Sequence, residues 1–327
     1  VKINTEIPTK RTMNKNGNLK LAAVYTYVKI EGEIGEKYDV QIDKKTYPHI
    51  QKSKVDTFVN LNFIEKPKKW HCNGEGKQPI YSQSIQISKN DTVLDSKKTT
   101  FGLRNIKLIQ QKDSIGTSFY FLLNEEPIFI KGANYIPQDL FPSRVKKSQY
   151  KKLLKKVKKA GINMLRIWGG GIYEQDYFYD LCDRMGIMVW QDFMFACSMY
   201  PANQEFLASV EREAEYQVKR LKSHPSIILW CGNNEIASGW LSWGWKEELP
   251  SSVWDDYKKI FHDLLPNVCE KLDPGRLYWP SSPGHSLTLP ESDQIYGSGD
   301  NHYWGVWHGG DGFEAFEENI GRFLSEY

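Results

Sequence analysis

Asn163-Met164-Leu165-Arg166-Ile167-Trp168-Gly169-Gly170-Gly171 decides how the rest of the chain is read. It is a short apolar run that ends in a glycine cluster, and it follows a segment with helical periodicity. In that segment Tyr150, Leu153, Leu154, Val157 and Ala160 recur at spacings of three and four, with lysines between them. The same unit repeats outward from here. A helix expected over 174–185 leads into Ile187-Met188-Val189-Trp190, one over 203–222 into Ser226-Ile227-Ile228-Leu229-Trp230, and one over 254–272 into Leu277-Tyr278-Trp279. Helices alternating with buried strands build a parallel sheet covered by helices, either an open doubly wound sheet or a barrel. Counting from Ile128 there are seven strand candidates, the last at Arg322-Phe323-Leu324-Ser325. A closed barrel of this type takes eight, so the expectation is a (β/α)8 barrel that stops after its seventh strand.

Towards the N-terminus the period changes from helical to two. Tyr25 to Ile30, Tyr38 to Ile42, Val59 to Phe63 and Ser84 to Ser88 alternate apolar and polar residues, and a further strand is expected from Thr99 to Leu108. Short alternating strands with Gly, Asn and Asp between them predict an antiparallel β-sandwich over 1–115. The pattern switches near Ile115-Gly116, and a hairpin around Asn124-Glu125 opens the second domain, 116–327.

Composition excludes several classes of function. Lys and Arg number 43 against 40 Asp and Glu, too balanced for the basic footprint of a nucleic-acid binder. The lysines between 146 and 159 read as the solvated face of an outer helix. No run of 18 apolar residues marks a membrane span. Five cysteines (Cys72, Cys182, Cys197, Cys231 and Cys269) lack metal-ligand spacing and are expected as buried free thiols. His302 and His308 have no carboxylate or thiol at a metal-binding spacing, so neither a metal nor another cofactor is expected. The chain opens on Val1 with no charged-then-apolar leader, and the sequon Asn90-Asp91-Thr92 is too common to assign a compartment. Neither the compartment nor the oligomeric state is written in the sequence.

Functional groups of such a barrel lie where strands end. Those positions hold Asn134 and Tyr135, Arg166 and Trp168, Gln191 and Asp192, Asn233 to Glu235, His302 to Trp304, and Glu326. Glu235 and Glu326 each directly follow an apolar strand and come from different strands facing one central space. Two such carboxylates are what glycoside hydrolysis needs, one protonated to assist the leaving oxygen and one ionised to attack or to activate water. The 11 Trp, 18 Tyr and 15 Phe can pack a core or stack on sugar faces.

Several runs carry a resemblance. They are Gly132-Ala133-Asn134-Tyr135-Ile136-Pro137, Leu165 to Glu174, Val189-Trp190-Gln191-Asp192-Phe193 and His224-Pro225-Ser226. With them stand Trp230-Cys231-Gly232-Asn233-Asn234-Glu235, His302 to Gly309 and Gly321-Arg322-Phe323-Leu324-Ser325-Glu326-Tyr327. Together they resemble the β-mannosidase branch of glycoside hydrolase family 2, and Trp70 to Gly76 resembles a turn of that family's immunoglobulin-like domain. The resemblance implies a retaining exo-β-glycosidase acting on terminal β-D-mannose of oligosaccharides. It implies Glu235 as general acid/base, Glu326 as nucleophile and Asn234 on the sugar 2-hydroxyl. Arg166 would hold the nucleophile ionised, Tyr303 or His302 would hydrogen-bond Glu326, and Trp168 and Trp243 would wall the sugar pocket. Family relatives acting on β-galactosides, β-glucuronides or glucosaminides are the nearest alternatives, and a carbohydrate-binding chain on a disabled barrel is another. No region resembles the family's N-terminal jelly-roll domain. The further expectation is that these 327 residues alone form an open barrel with an exposed sheet edge and little activity.

Overall fold

The computed structural model describes residues 4–6, 9–13, 19–288, 297–319 and 321–327. The chain divides into two compact units. One holds the chain up to Trp70 with Lys77–Leu103 and Ser223–Pro225; the other holds His71–Gly76, Arg104–Lys222 and Ser226–Tyr327.

The first unit is an all-antiparallel sandwich. One sheet joins β1 (Asn4–Glu6), β2 (Thr9–Met13) and β6 (Val55–Glu65) to the long β3 (Leu19–Glu31). The other runs β5 (Lys45–Ile50), β4 (Lys37–Ile42), β7 (Tyr81–Lys89), β8 (Thr92–Phe101). The period-two pattern produces the burial directly. On β3, Val24, Thr26, Val28 and Ile30 are buried, while Tyr25, Tyr27 and Lys29 between them are not. Val28 and Ile30 pack with Tyr38, Val40 and Ile42 of β4 and Ile85 and Ile87 of β7. Inside this layer Thr26 Oγ1 donates to Gln83 Oε1 at 2.7 Å, which satisfies two buried polar groups at once.

The strand expected over Thr99–Leu108 is interrupted. β8 ends at Phe101 and a separate β9 (Ile106–Ile109) begins after Gly102, where an added Cβ would lie 2.6 Å from Pro225 Cγ. β9 pairs with β10 (Tyr120–Leu123) in the second unit, and β10 pairs with β11 (Glu126–Ile128). The passage between units therefore falls at Leu103–Arg104, ahead of the change in pattern near 115. Asn124 (φ 59°) and Glu125 (φ 77°) form the hairpin turn, since two left-handed residues match the twist of the flanking strands.

The second unit carries the parallel strands β12 (Gly132–Tyr135), β13 (Met164–Ile167), β14 (Met188–Asp192), β15 (Ile227–Cys231) and β16 (Leu277–Trp279), paired in chain order. A parallel pair, β17 (Asn301–His302) and β18 (Leu324–Glu326), follows. Asn134 Nδ2 of β12 reaches Ser325 O of β18 at 3.2 Å. Helices α1 (Lys147–Lys159), α2 (Asp176–Met185) and α3 (Gln204–Leu221) lie between the strands. In α1, Tyr150, Leu154 and Val157 are buried and the lysines are exposed, as its stripe requires. Asn203 caps α3 by accepting from Phe206 N at 3.0 Å.

Two elements differ from the sequence reading. A helix α4 (Ile236–Ser242) and a short α5 (Trp245–Glu248) directly follow the Glu235 strand end. The helix expected over 254–272 is three segments: α6 (Ser252–Lys258), a π-helical stretch over Lys259–Leu264, and α7 (Leu265–Leu272). Pro266 has no N–H for the carbonyl four residues back, and the ladder slips by one residue, with Leu265 N bonding Ile260 O.

Strand residues alternate between an outer apolar layer, including Leu165, Ile167 and Val189 under the helices, and the barrel interior. Trp190, Trp279 and Phe323 pack inside against Phe119 near the β9–β11 sheet. Directly against these rings the interior turns polar, with Trp190 Nε1 donating to Asp192 and Trp279 Nε1 to Asp300. Four of the five cysteines are buried, but Cys197 is exposed, contrary to expectation; it sits in the loop after β14. Among the described residues no helix is long and apolar enough to cross a membrane.

Candidate active site

Arg166 organises the polar end of the barrel. On β13 it faces the interior, 3% exposed. Its Nη2 donates to Asp192 Oδ2 at 2.9 Å and to Asn234 Oδ1 at 2.7 Å; its Nη1 donates to Glu326 Oε2 at 2.7 Å and to Asn134 Oδ1 at 3.3 Å. One planar fork thereby joins the ends of β12, β13, β14 and β18 and the loop after β15, a pattern that suits guanidinium and not ammonium. Burial works against the Arg166 charge, but Asp192 and Glu326 outweigh it and raise its pKa further. Asp192 has no exposed surface, and burial pushes its carboxyl upward against the pull of Arg166. Gly169 N and Trp190 Nε1 also donate to it, so the acceptor capacity of the anion is used.

The loop after β15 presents Asn234 and Glu235. Glu235 occupies the left-handed region (φ 59°, ψ 12°) at the N-cap of α4, a conformation that costs a non-glycine residue of order 1 kcal/mol or more. Its neighbours hold it there. Glu235 N donates to Ser282 O and Asn234 N to Phe195 O, both at 2.9 Å. Asn233 accepts from Ile236 N and Ser281 Oγ and donates to Pro280 O. Gly232 lets the Pro280 carbonyl approach, since a Cβ would lie 2.2 Å from that oxygen.

Carboxylate oxygens of Glu235 and Glu326 and a ring nitrogen of His302 all lie within 4.8 Å of one another. A cluster this tight could suit a cation, and the Arg166 guanidinium already supplies one, 2.7 Å from Glu326. His302 Nδ1 is 2.8 Å from Glu235 Oε1 and 3.9 Å from Glu326 Oε1. Asn234 Nδ2 donates to Glu235 Oε2 at 3.2 Å, and the Cys197 thiol approaches the same oxygen at 3.6 Å. Burial raises the Glu235 carboxyl, yet the hydrogen bond and charge of His302, helped by Cys197 and Arg166, leave it below its ordinary value. Burial, then Glu235, pushes the Cys197 thiol up to about 11, so it stands as a neutral thiol.

Five of the eight residues singled out from sequence meet here: Arg166, Asn234, Glu235, His302 and Glu326. Trp168 is partly buried at the end of β13, its ring lying where a Cβ on Gly170 would be 2.0 Å away. Trp243 stands at the C-cap of α4, 46% exposed and edge-on to Trp245, outside the hydrogen-bonded cluster. The expected contact of His302 or Tyr303 with Glu326 takes another form. Successive residues of a strand point to opposite sides, so His302 faces inward and engages Glu235, while the Tyr303 hydroxyl donates to Asp311. Tyr303 meets Glu326 through its backbone N–H, which bonds the Glu326 carbonyl at 3.0 Å. The sequence reading passed over Ser282 and Asp300, which stand behind His302. The only trace in the sequence is an aspartate two residues before the strand-end histidine, and its burial is visible only in the structure.

Comparisons with known proteins give a consistent picture. Residues 117–278 match the family model described as "Glycosyl hydrolases family 2, TIM barrel domain", and residues 2–104 match "Glycosyl hydrolases family 2". Beta-mannosidase B of Aspergillus oryzae is 38% identical over 281 residues, 83% of this chain and 33% of that protein. Beta-mannosidase of Bos taurus is 36% identical over 332 residues, 96% of this chain and 37% of that protein. The crystal structure of Beta-D-Mannosidase from Dictyoglomus thermophilum superposes with a TM-score of 0.87 at 40% identity, over 99% of this chain and 39% of that one. The chain spans about a third of the length of the curated relatives it matches.

Proposed function

The chain belongs to family 2 of the glycosyl hydrolases, and from that membership and its site we propose that it removes terminal β-D-mannose from oligosaccharides with retention of configuration. The observation that carries the reading is the pair of carboxylates whose oxygens lie within 4.8 Å. So short an approach supports the double displacement, whose carboxyl groups stand about 5–5.5 Å apart, over the inverting reaction, whose carboxyl groups stand about 6.5–9.5 Å apart.

The two carboxylates have different partners, His302 on Glu235 and Arg166 on Glu326. Glu326 takes a guanidinium hydrogen bond from Arg166 at 2.7 Å, which fixes the orientation of the proposed nucleophile. Glu326 attacks the anomeric carbon as the bond to the aglycone oxygen breaks, and that oxygen takes a proton from Glu235. Water then enters, gives its proton to Glu235 and releases the sugar from Glu326. Asn234 is clamped through its Oδ1 by Arg166, and its amide, which donates to Glu235 Oε2 and the Cys197 sulfur in the free protein, is assigned to turn one N–H to the sugar 2-hydroxyl, a contact that strengthens in the transition state. Trp168 and Trp243 are assigned to the walls of the sugar pocket. The choice of mannoside rests on the strand-end motifs and on relatives named as β-mannosidases.

A panel of nitrophenyl β-glycosides tests this. The mannoside is expected to turn over fastest, with the β-anomer of mannose forming first by proton NMR. Faster cleavage of the galactoside, glucuronide or glucosaminide, or the α-anomer as first product, would sink the proposal.

A further inference from the structure

The site has a second layer behind the carboxylate pair. Asp300 is fully buried. Its Oδ1 accepts from Trp279 Nε1 at 2.8 Å and from Gly284 N at 2.9 Å; its Oδ2 accepts from Ser282 Oγ and Ser325 Oγ, each at 2.6 Å. The indole and backbone N–H groups can only donate, and a hydroxyl has a single proton to give. The Ser282 proton is therefore directed at Asp300. What Ser282 Oγ turns towards His302 Nε2, 3.0 Å away, is a lone pair, which calls for a hydrogen on Nε2; the competing donor to that nitrogen, Arg166 Nη1, is farther away at 3.5 Å.

That settles the other side of the ring. With Nε2 protonated, His302 Nδ1 and Glu235 Oε1, 2.8 Å apart, are joined by one proton. It sits on the carboxyl beside a neutral imidazole, or on Nδ1 beside a carboxylate. We infer that His302 is a positioning residue, fixed by the Ser282–Asp300 pair in the tautomer that stores the proton of the acid/base carboxyl. The opposite neutral tautomer, with hydrogen on Nδ1 alone, would face an ionised Glu235 and leave no acid proton in the pair.

The charged groups around the ring hold this balance. Arg166 Nη1 lies 3.5 Å from Nε2 and opposes charge on the imidazole; Glu326 Oε1, 3.9 Å from Nδ1, favours it. Asp300 acts through Ser282, and the Cys197 thiol touches Glu235 on its far oxygen. The lowered carboxyl of Glu235 then costs the site nothing, because the proton it gives up waits on Nδ1. In the first displacement the pair yields one proton to the aglycone oxygen, which keeps the electrons of the broken bond, while Glu326 bonds the anomeric carbon. The pair is left as a carboxylate beside a neutral Nε2–H imidazole. In the second displacement the attacking water returns one proton to it.

The kinetic consequence rests on Glu235 being the acid/base of the proposed reaction; the tautomer does not. Two-bond proton–nitrogen NMR of the nitrogen-15-labelled full chain reads the tautomer directly, with the His302 signals identified by their loss in His302→Gln. The expected spectrum shows a protonated Nε2 at neutral pH, and Ser282→Ala shifts it while Ser282→Thr does not. A non-protonated Nε2 with hydrogen on Nδ1 in the wild type would overturn the inference. In kinetics, Ser282→Ala is expected to lower kcat/KM about tenfold or more for a methyl β-mannoside, part of the roughly 10²–10⁴-fold due to general acid help. For a dinitrophenyl β-mannoside, whose aglycone leaves without a proton, the change should stay within about twofold, and Ser282→Thr should restore the former. Equal losses on both substrates would refute a role through the acid proton. If the protein cleaves no β-mannoside at all, the functional proposal fails, and the wild-type spectrum still decides the tautomer.

Discussion

The sandwich and the barrel bury their interiors by opposite rules. Between the two sheets of the sandwich, Val28, Ile30, Val40, Ile42, Ile85 and Ile87 meet side by side, and the Thr26–Gln83 hydrogen bond is neutral. At the polar end of the barrel, Arg166, Asp192, Asn234, Asp300 and Glu326 are all buried. Taking charges out of water costs several kcal/mol per ion, and apolar residues of like volume often do as well or better. A fold maintains such a cluster only where the charges do work. The barrel keeps its apolar share in Trp190, Trp279 and Phe323 directly against that cluster, Trp190 donating to Asp192 and Trp279 to Asp300.

Four measurements can break or sharpen that contrast. Glu326→Ala removes the proposed nucleophile, and kcat should fall by about 10⁴-fold or more, the scale on which loss of a reacting group is felt; residual activity within tenfold of wild type would end the assignment. Arg166→Met should destabilise the barrel by about 3–5 kcal/mol in denaturant unfolding, because Asp192 and Glu326 are left as buried charges without their partner. A loss below about 1 kcal/mol would mean that the cluster is not held by that guanidinium. In the sandwich, Thr26→Val should cost about 1–3 kcal/mol by stranding Gln83, whereas Thr26→Val with Gln83→Leu should come close to neutral. Comparable losses for single and double variants would show that the sandwich depends on its polar pair after all.

The smallest effect is a pH slope. The folded pKa of Glu235 lies below its ordinary value of 4.5. Its contribution to stability is therefore fully present above that value and is lost as pH falls through the lower, folded one. Glu235→Gln abolishes this titration, so the Tm of the wild type should fall more steeply than that of the variant as pH drops below 4.5. Parallel curves would remove His302 as a partner of the ionised carboxyl.

Periodicity made both architectures legible, because a helical stripe such as Tyr150–Leu154–Val157 and an alternation such as Val24 to Ile30 are what burial on one face imposes. Strand ends then gave Arg166, Asn234, Glu235 and Glu326 as candidates, since a short apolar run marks where each strand stops. Other features left no periodic trace. β17 is two residues long, too short to show which of His302 and Tyr303 faces inward. Ser282 follows β16 in an irregular loop, and Asp300 precedes β17, so neither falls at the end of a recognisable run. The left-handed Glu235 is set by partners distant in sequence, Ser281 and Ser282, and not by its own propensity. Cys197 reads as a core thiol by composition and lies exposed by the loop it sits in.

The central claim is that Glu326 attacks the sugar. Incubating the protein with an activated 2-deoxy-2-fluoro-β-mannoside, which slows both displacements and lets the covalent intermediate accumulate, tests it most directly. Peptide mass spectrometry should find one fluoromannosyl group on the peptide carrying Glu326 and none on Glu326→Ala. Labelling of Glu235 or another residue, or turnover of the parent mannoside with no covalent adduct, would contradict the account.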